Sequence, residues 1–169
     1  MRLHESGFST TSGRAIFVRS DYSALVAPRQ ARFAPRADEL WIINRRSGST
    51  WSSVIEDRRI PYRRDQLPEN LLELHPDDAL RLDIATGDPV IVSTDGLLDV
   101  SLAGRGLPDT GFFRARAVVS SDLQPGVACT YFNFTGTPAS ASNAVVPNVP
   151  DPVSNLFSFK LGRGKVRLA

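Results

Sequence analysis

The chain has 169 residues, 41% hydrophobic and 22% charged, with 20 Lys+Arg against 18 Asp+Glu for a net charge of +2; this is the make-up of one ordinary globular domain with enough chain to bury a core. A single cysteine, Cys129, and two histidines, His4 and His75, exclude a disulfide framework and a structural zinc or iron–sulfur site built from this chain alone, because such sites need clustered ligands. No run of about 18 apolar residues occurs and Met1–Phe17 has no secretory apolar stretch, so the chain reads as soluble, without signal peptide or membrane insertion, and is expected in the cytoplasm or exported with a partner.

Charge is segregated. Residues 1–64 carry twelve Arg and six acids, 65–111 two Arg and ten acids, and 112–169 six bases and two acids. Eighteen of the twenty bases are Arg, whose planar fork suits carboxylate and phosphate, although a general Arg bias accounts for many of them.

Residues 1–38 read as a lead-in segment, extended apart from one short strand at Ala15–Val18, with Pro28 and Pro35 as breaks; a barrel domain is expected over 39–169. Leu40–Asn44 is a short apolar run rich in β-formers, predicting a strand buried on both faces that delivers Arg45, Arg46 and several hydroxyls to a loop. Leu71–His75 predicts a second strand. Pro76 with Asp77 and Asp78 is a helix-start signature, since Pro lacks the amide that would be orphaned there and the acids oppose the helix dipole. Pro89–Ser93 and Leu98–Leu102 flank Asp95-Gly96 and predict a hairpin. Phe112–Val119 alternates Arg with Ala, so one face is expected in water, and Val127–Phe134 is the next strand. Leu156–Leu161 and Lys165–Leu168 are expected as two short strands around Gly162 and Gly164. Short strands with frequent turns predict a mainly β fold with short helices, a compact barrel.

The 28 residues Leu123–Pro150 contain no charged side chain yet are rich in Asn, Ser and Thr. Asn133, Asn143 and their hydroxyl-bearing neighbours offer neutral donors and acceptors, the kind a buried polar heterocycle requires; the same residues also serve turns in a surface loop. His75 reads as a helix cap and Cys129 as a buried inert thiol. Neither has partners nearby in sequence for nucleophilic catalysis, and no catalytic residue is assigned. The paired arginines 45–46, 58–59 and 63–64, with a sequence pI near 9.0, raise nucleic-acid binding as an alternative, which the acidic middle of the chain opposes.

Several ordered motifs carry a family resemblance: Asn44-Arg45-Arg46 followed by Trp51-Ser52-Ser53, Leu72-Glu73-Leu74-His75-Pro76-Asp77-Asp78-Ala79, Gly87-Asp88-Pro89-Val90, Pro125-Gly126-Val127-Ala128 and Lys160-Leu161-Gly162-Arg163-Gly164. Together they resemble the C-terminal molybdopterin dinucleotide-binding domain of the arsenite oxidase large subunit, in the dimethyl sulfoxide reductase superfamily. The resemblance implies a double-psi β-barrel that closes over molybdopterin guanine dinucleotide, with molybdenum held between dithiolenes and shared with other domains or a catalytic subunit. It implies a part in oxyanion metabolism by oxygen-atom transfer, with no activity expected of this chain alone. It also implies cofactor-facing roles for Asn44, Arg45, Arg46 and Trp51 in a first loop, Asn133 and Asn143 in a second, and Lys160 near its close. The chain departs from the family pattern at Arg45, where Gly is usual, and at Gly48 and Ser52, where amides are usual. A bulky Arg45 either crowds the pterin or supplies a phosphate contact, and losing two amides removes donors. A stand-alone double-psi barrel used for protein interaction, without cofactor, is the competing reading.

Overall fold

The computed structural model describes residues 4–17, 21–48, 59–132, 134, 139–151, 156–157 and 160–169. Among the described residues, nine regular elements follow in chain order: α1 (Tyr22–Phe33), β1 (Leu40–Arg45), α2 (Pro61–Gln66), β2 (Leu71–Leu74), α3 (Pro76–Arg81), β3 (Pro89–Asp95), β4 (Thr110–Val119), β5 (Val127–Tyr131) and β6 (Leu161–Leu168). Short 3₁₀ turns stand at Val100–Leu102 and Ser142–Val145.

The six strands close into a barrel in the order β1-β5-β2-β4-β3-β6, with β6 returning to β1. β1/β5 and β2/β4 pair in parallel and the other neighbours are antiparallel. Each parallel pair requires a crossover rather than a hairpin, so the topology is compatible with the double-psi expectation. Closure removes exposed strand edges. Inward positions alternate with outward ones along each strand: Leu40 and Ile42, Leu72 and Leu74, Val90 and Val92, and Phe113 fill the interior, each at most 2% exposed.

Several elements differ from the sequence-based expectation. Tyr22–Phe33 is an α-helix capped by Asp21, whose carboxylate accepts from Ala24 N at 3.2 Å; this part of the lead-in is therefore helical rather than extended, and the helix continues through position 28 instead of breaking there. Its end is tied by Arg32 to the stretch that follows β3, through a hydrogen bond to Leu98 O at 2.7 Å. β1 is fully buried on one face only. The Asp95-Gly96 turn does not join two short strands: β3 pairs instead with β4 across an excursion of the chain, in which Leu98 makes an isolated bridge to Asn148. β6 is one continuous strand through Gly162 and Gly164. The pair of helix acids has more to do than oppose a dipole, since Asp78 is buried and its Oδ2 accepts from Gly126 N at 2.6 Å. His75 does cap α3, its Nδ1 accepting from Asp77 N at 3.1 Å.

Two devices lock the barrel. Ser142–Val145 lies against β4 and β6 so closely that a methyl group on Gly111 would overlap the Ala144 carbonyl oxygen, and one on Gly162 the Val145 carbonyl oxygen. At the base, the side chains of Arg163 and Glu39 are 4% and 1% exposed and form an ion pair. Arg163 also donates to Asp95 O at 3.0 Å, and Arg36 N donates to Glu39 at 2.9 Å.

Gly111→Ala or Gly162→Ala is expected to cost about 1–3 kcal/mol by overpacking in denaturant unfolding, while Gly48→Ala, which meets no atom within 4 Å, stays near wild type. Arg163→Met strands the Glu39 carboxylate in the interior; the same measurement is expected to show a loss of about 3–5 kcal/mol.

Candidate functional site

Strand alternation decides what the end of β1 displays. Leu40, Ile42 and Asn44 point into the barrel while Arg45 points out. Asn44 is 2% exposed, and its Nδ2 lies 3.5 Å from Oδ1 of Asn143, which stands exposed in the Ser142–Val145 turn. The main-chain N–H of Asn44 donates to Lys160 O at 2.8 Å. Three residues nominated from separate parts of the chain therefore meet at one mouth of the barrel. Arg46 follows immediately with its side chain exposed, as is that of Lys160. Trp51 and Asn133 lie outside the described residues, as does Ser52.

Arg45 is used elsewhere. Its guanidinium pairs with Glu73, donates to Tyr131 Oη at 2.7 Å and lies 5.0 Å over the Tyr131 ring. Tyr131 in turn donates to Glu73 Oε1 at 2.6 Å. The register explains the set: Arg45 stands opposite Tyr131 on β5, and Glu73 on β2 stands opposite Cys129, two residues before Tyr131 on the same face. Arg45 is thus placed on the outer wall of the barrel, on the side away from Asn44. Burial first, and then the hydrogen bond to Glu73, pushes the Tyr131 phenol above its ordinary range, against the pull of Arg45. Burial likewise raises the Cys129 thiol, which is 6% exposed, in keeping with an inert cysteine.

The segment that carries Asn143 is anchored from beneath. Ser142 Oγ donates to Tyr131 O at 3.1 Å, and buried Asn70 donates through Nδ2 to Ser140 O at 3.1 Å. Arg114 N donates to Ala139 O at 2.5 Å. Sequence reading missed Asn70, whose only local signal is an amide directly preceding a strand. A cavity of about 220 Å³, lined by Glu69, Asn70, Pro89, Val90, Arg114 and Ser140 among others, opens beside this anchor; Asn44 and Asn143 do not line it. Among the described residues, no group of three His, Cys, Asp or Glu is placed to hold a metal ion, and no helix is long and apolar enough to cross a membrane.

Comparison with known proteins identifies what the chain is similar to. Residues 40–96 match the model of the molydopterin dinucleotide binding domain. The chain is 38% identical over 93% of its length to iodate reductase subunit IdrA of Pseudomonas sp. (strain SCT), and 36% identical over the same share to IdrA of Denitromonas iodatirespirans. It is 30% identical over 54% of its length to arsenite oxidase subunit AioA of Herminiimonas arsenicoxydans. It spans only 20%, 19% and 11% of those three proteins. Among solved structures, acetylene hydratase from Pelobacter acetylenicus superposes with a TM-score of 0.63 at 14% identity, covering 96% of this chain and 24% of that one, a likeness of fold.

A raised phenol pKa sets a pH dependence. Because the folded value lies above the unfolded one, near 10, the protonated phenol's contribution to stability is complete below about pH 10 and is lost as pH rises through the folded value. As the pH rises above about 10, the denaturation midpoint of the wild type is expected to fall more steeply than that of Tyr131→Phe.

Proposed function

The chain is a molydopterin dinucleotide-binding domain, and from that premise we propose that its barrel mouth closes over a molybdopterin guanine dinucleotide shared with the rest of a larger molybdenum oxidoreductase. The approach of Asn44 to Asn143 within 3.5 Å carries this reading. Two neutral carboxamides, one buried and one exposed, sit together at the solvent edge of the barrel, and one of them comes from the charge-free segment 123–150. The donor set fits the group, since a pterin edge presents both donors and acceptors and amides meet both kinds without bringing an unpaired charge into the interior.

On this reading Asn44 and Asn143 orient the pterin edge. Arg46 and Lys160, exposed beside the mouth, face the diphosphate, where a guanidinium fork or an ammonium pairs with phosphate oxygens. The family resemblance adds cofactor-facing roles for Trp51 and Asn133. Arg45 acts indirectly, by holding the end of β1 against Glu73 and Tyr131. When bound, the group supplies molybdenum at which oxygen-atom transfer with two-electron exchange takes place. The part of this chain is to bind, orient and exclude water, and it is inactive without the other domains or the catalytic subunit that complete the site. The substrate of the whole enzyme is an inorganic oxyanion, as the names of its iodate- and arsenite-acting relatives suggest.

Molybdenum and guanine nucleotide are expected to co-purify with the assembly that contains this chain. In the double variant Asn44→Ala/Asn143→Ala their retention should fall roughly tenfold, the equivalent of one or two lost hydrogen bonds. An assembly that keeps its full metal and nucleotide content without this chain would overturn the reading.

A further inference from the structure

Asn70 stands outside the mouth, 1% exposed, immediately before β2. Its Oδ1 accepts from Thr130 Oγ1 at 3.1 Å and from Tyr131 N at 3.2 Å, while its Nδ2 donates to Ser140 O at 3.1 Å. Its own carbonyl accepts from Arg116 N at 2.9 Å. One residue therefore joins β2, β4, the end of β5 and the segment that crosses the mouth. The two donors on the β5 side fix which end of the amide is oxygen, leaving the NH₂ to meet a carbonyl that can only accept. Three residues beyond that carbonyl is Asn143. Immediately before that carbonyl's residue, Ala139 sits at φ +58°, a left-handed conformation that a residue with a β-carbon keeps only when its surroundings hold it there.

We propose that Asn70 is a positioning residue: its carboxamide sets the height and register of the 139–145 segment over the barrel and so places Asn143 against Asn44. The inference rests on the reading that these two amides face the pterin dinucleotide. It explains why an amide is needed at this position. A carboxylate of the same shape still satisfies Thr130 and Tyr131 but turns an acceptor, and a charge, toward Ser140 O. An apolar residue leaves buried donors and acceptors unmet.

The test compares Asn70→Asp, Asn143→Ala and their combination in the cofactor-loaded assembly. The readouts are guanine nucleotide retained after buffer exchange and, independently, hydrogen exchange at the Ala144 and Val146 amides, which donate to Ala141 O and Asn143 O. Each single variant is expected to lose nucleotide about tenfold, and the double variant no more than the worse single, because both remove the same placement. Asn70→Asp should speed exchange at 144 and 146 while Ile42 and Val92 in the barrel wall stay slow. Lowering the pH until the introduced acid is protonated should slow 144 and 146 again, because a protonated carboxyl can donate to Ser140 O. Multiplying losses in the double variant, or exchange that quickens equally throughout the barrel, would overturn the proposal. If Asn70→Asp does not fold, Asn70→Ser, too short to reach Ser140 O, is judged by the same criteria. Full nucleotide retention in Asn143→Ala would instead sink the cofactor reading, and the exchange data would still decide the role of Asn70.

Discussion

The rest of this structure depends on the close approach of the Ser142–Val145 backbone to the barrel. Two carbonyl oxygens of that turn, from Ala144 and Val145, occupy the space a β-carbon would take at Gly111 and Gly162. Glycine at these places is required by contact rather than by φ, since neither has a left-handed backbone. With the turn seated this low, Val145 enters the apolar interior at 0% exposure while Asn143, two residues earlier, stays at the surface. One short segment thereby plugs the core and lines the mouth, and no regular strand could do both at that spacing.

Polar groups do the aiming. Asn44, Asn70, Thr130 and Ser142 are each at most 2% exposed, a costly arrangement unless their bonding is met inside the protein. Asn70 and Ser142 bond to the main chain of neighbouring elements, so they fix backbone positions, and Thr130 bonds to Asn70. The result is a barrel whose apolar wall supplies stability and whose buried amides and hydroxyls specify which loop lies where.

The arginines divide into two populations that composition alone cannot separate. Arg163 is buried against Glu39, and Arg45 is held on the outer wall by Glu73 and Tyr131. Arg46 is left exposed beside the mouth. The place of Arg45 bears on the family departure noted in the sequence: a side chain directed to the outer wall neither crowds the barrel mouth nor reaches across it, so an Arg is accommodated where glycine is usual, provided Glu73 and Tyr131 are present to receive it.

Local signals in the sequence were sufficient wherever structure is decided locally. The Pro76-Asp77-Asp78 helix start, the cap at His75, the apolar run of β1, the wet and dry faces of β4 and the charge-free stretch that carries Asn143 could all be read from neighbouring residues, because dihedral preference, capping and side-chain alternation act over a few positions. The meeting of Asn44 with Asn143 and Lys160 leaves no periodic trace, since about a hundred residues separate the first from the other two. Tertiary packing alone decided the partner of β3, the continuity of β6 through its glycines, the helix that carries Pro28, the outward course of Arg45 and the bonds of Asn70. Each of these depends on what arrives from a distant part of the chain: a strand takes whichever edge is open, a glycine is tolerated where a carbonyl presses in, and a buried amide is satisfied only by groups that folding brings to it.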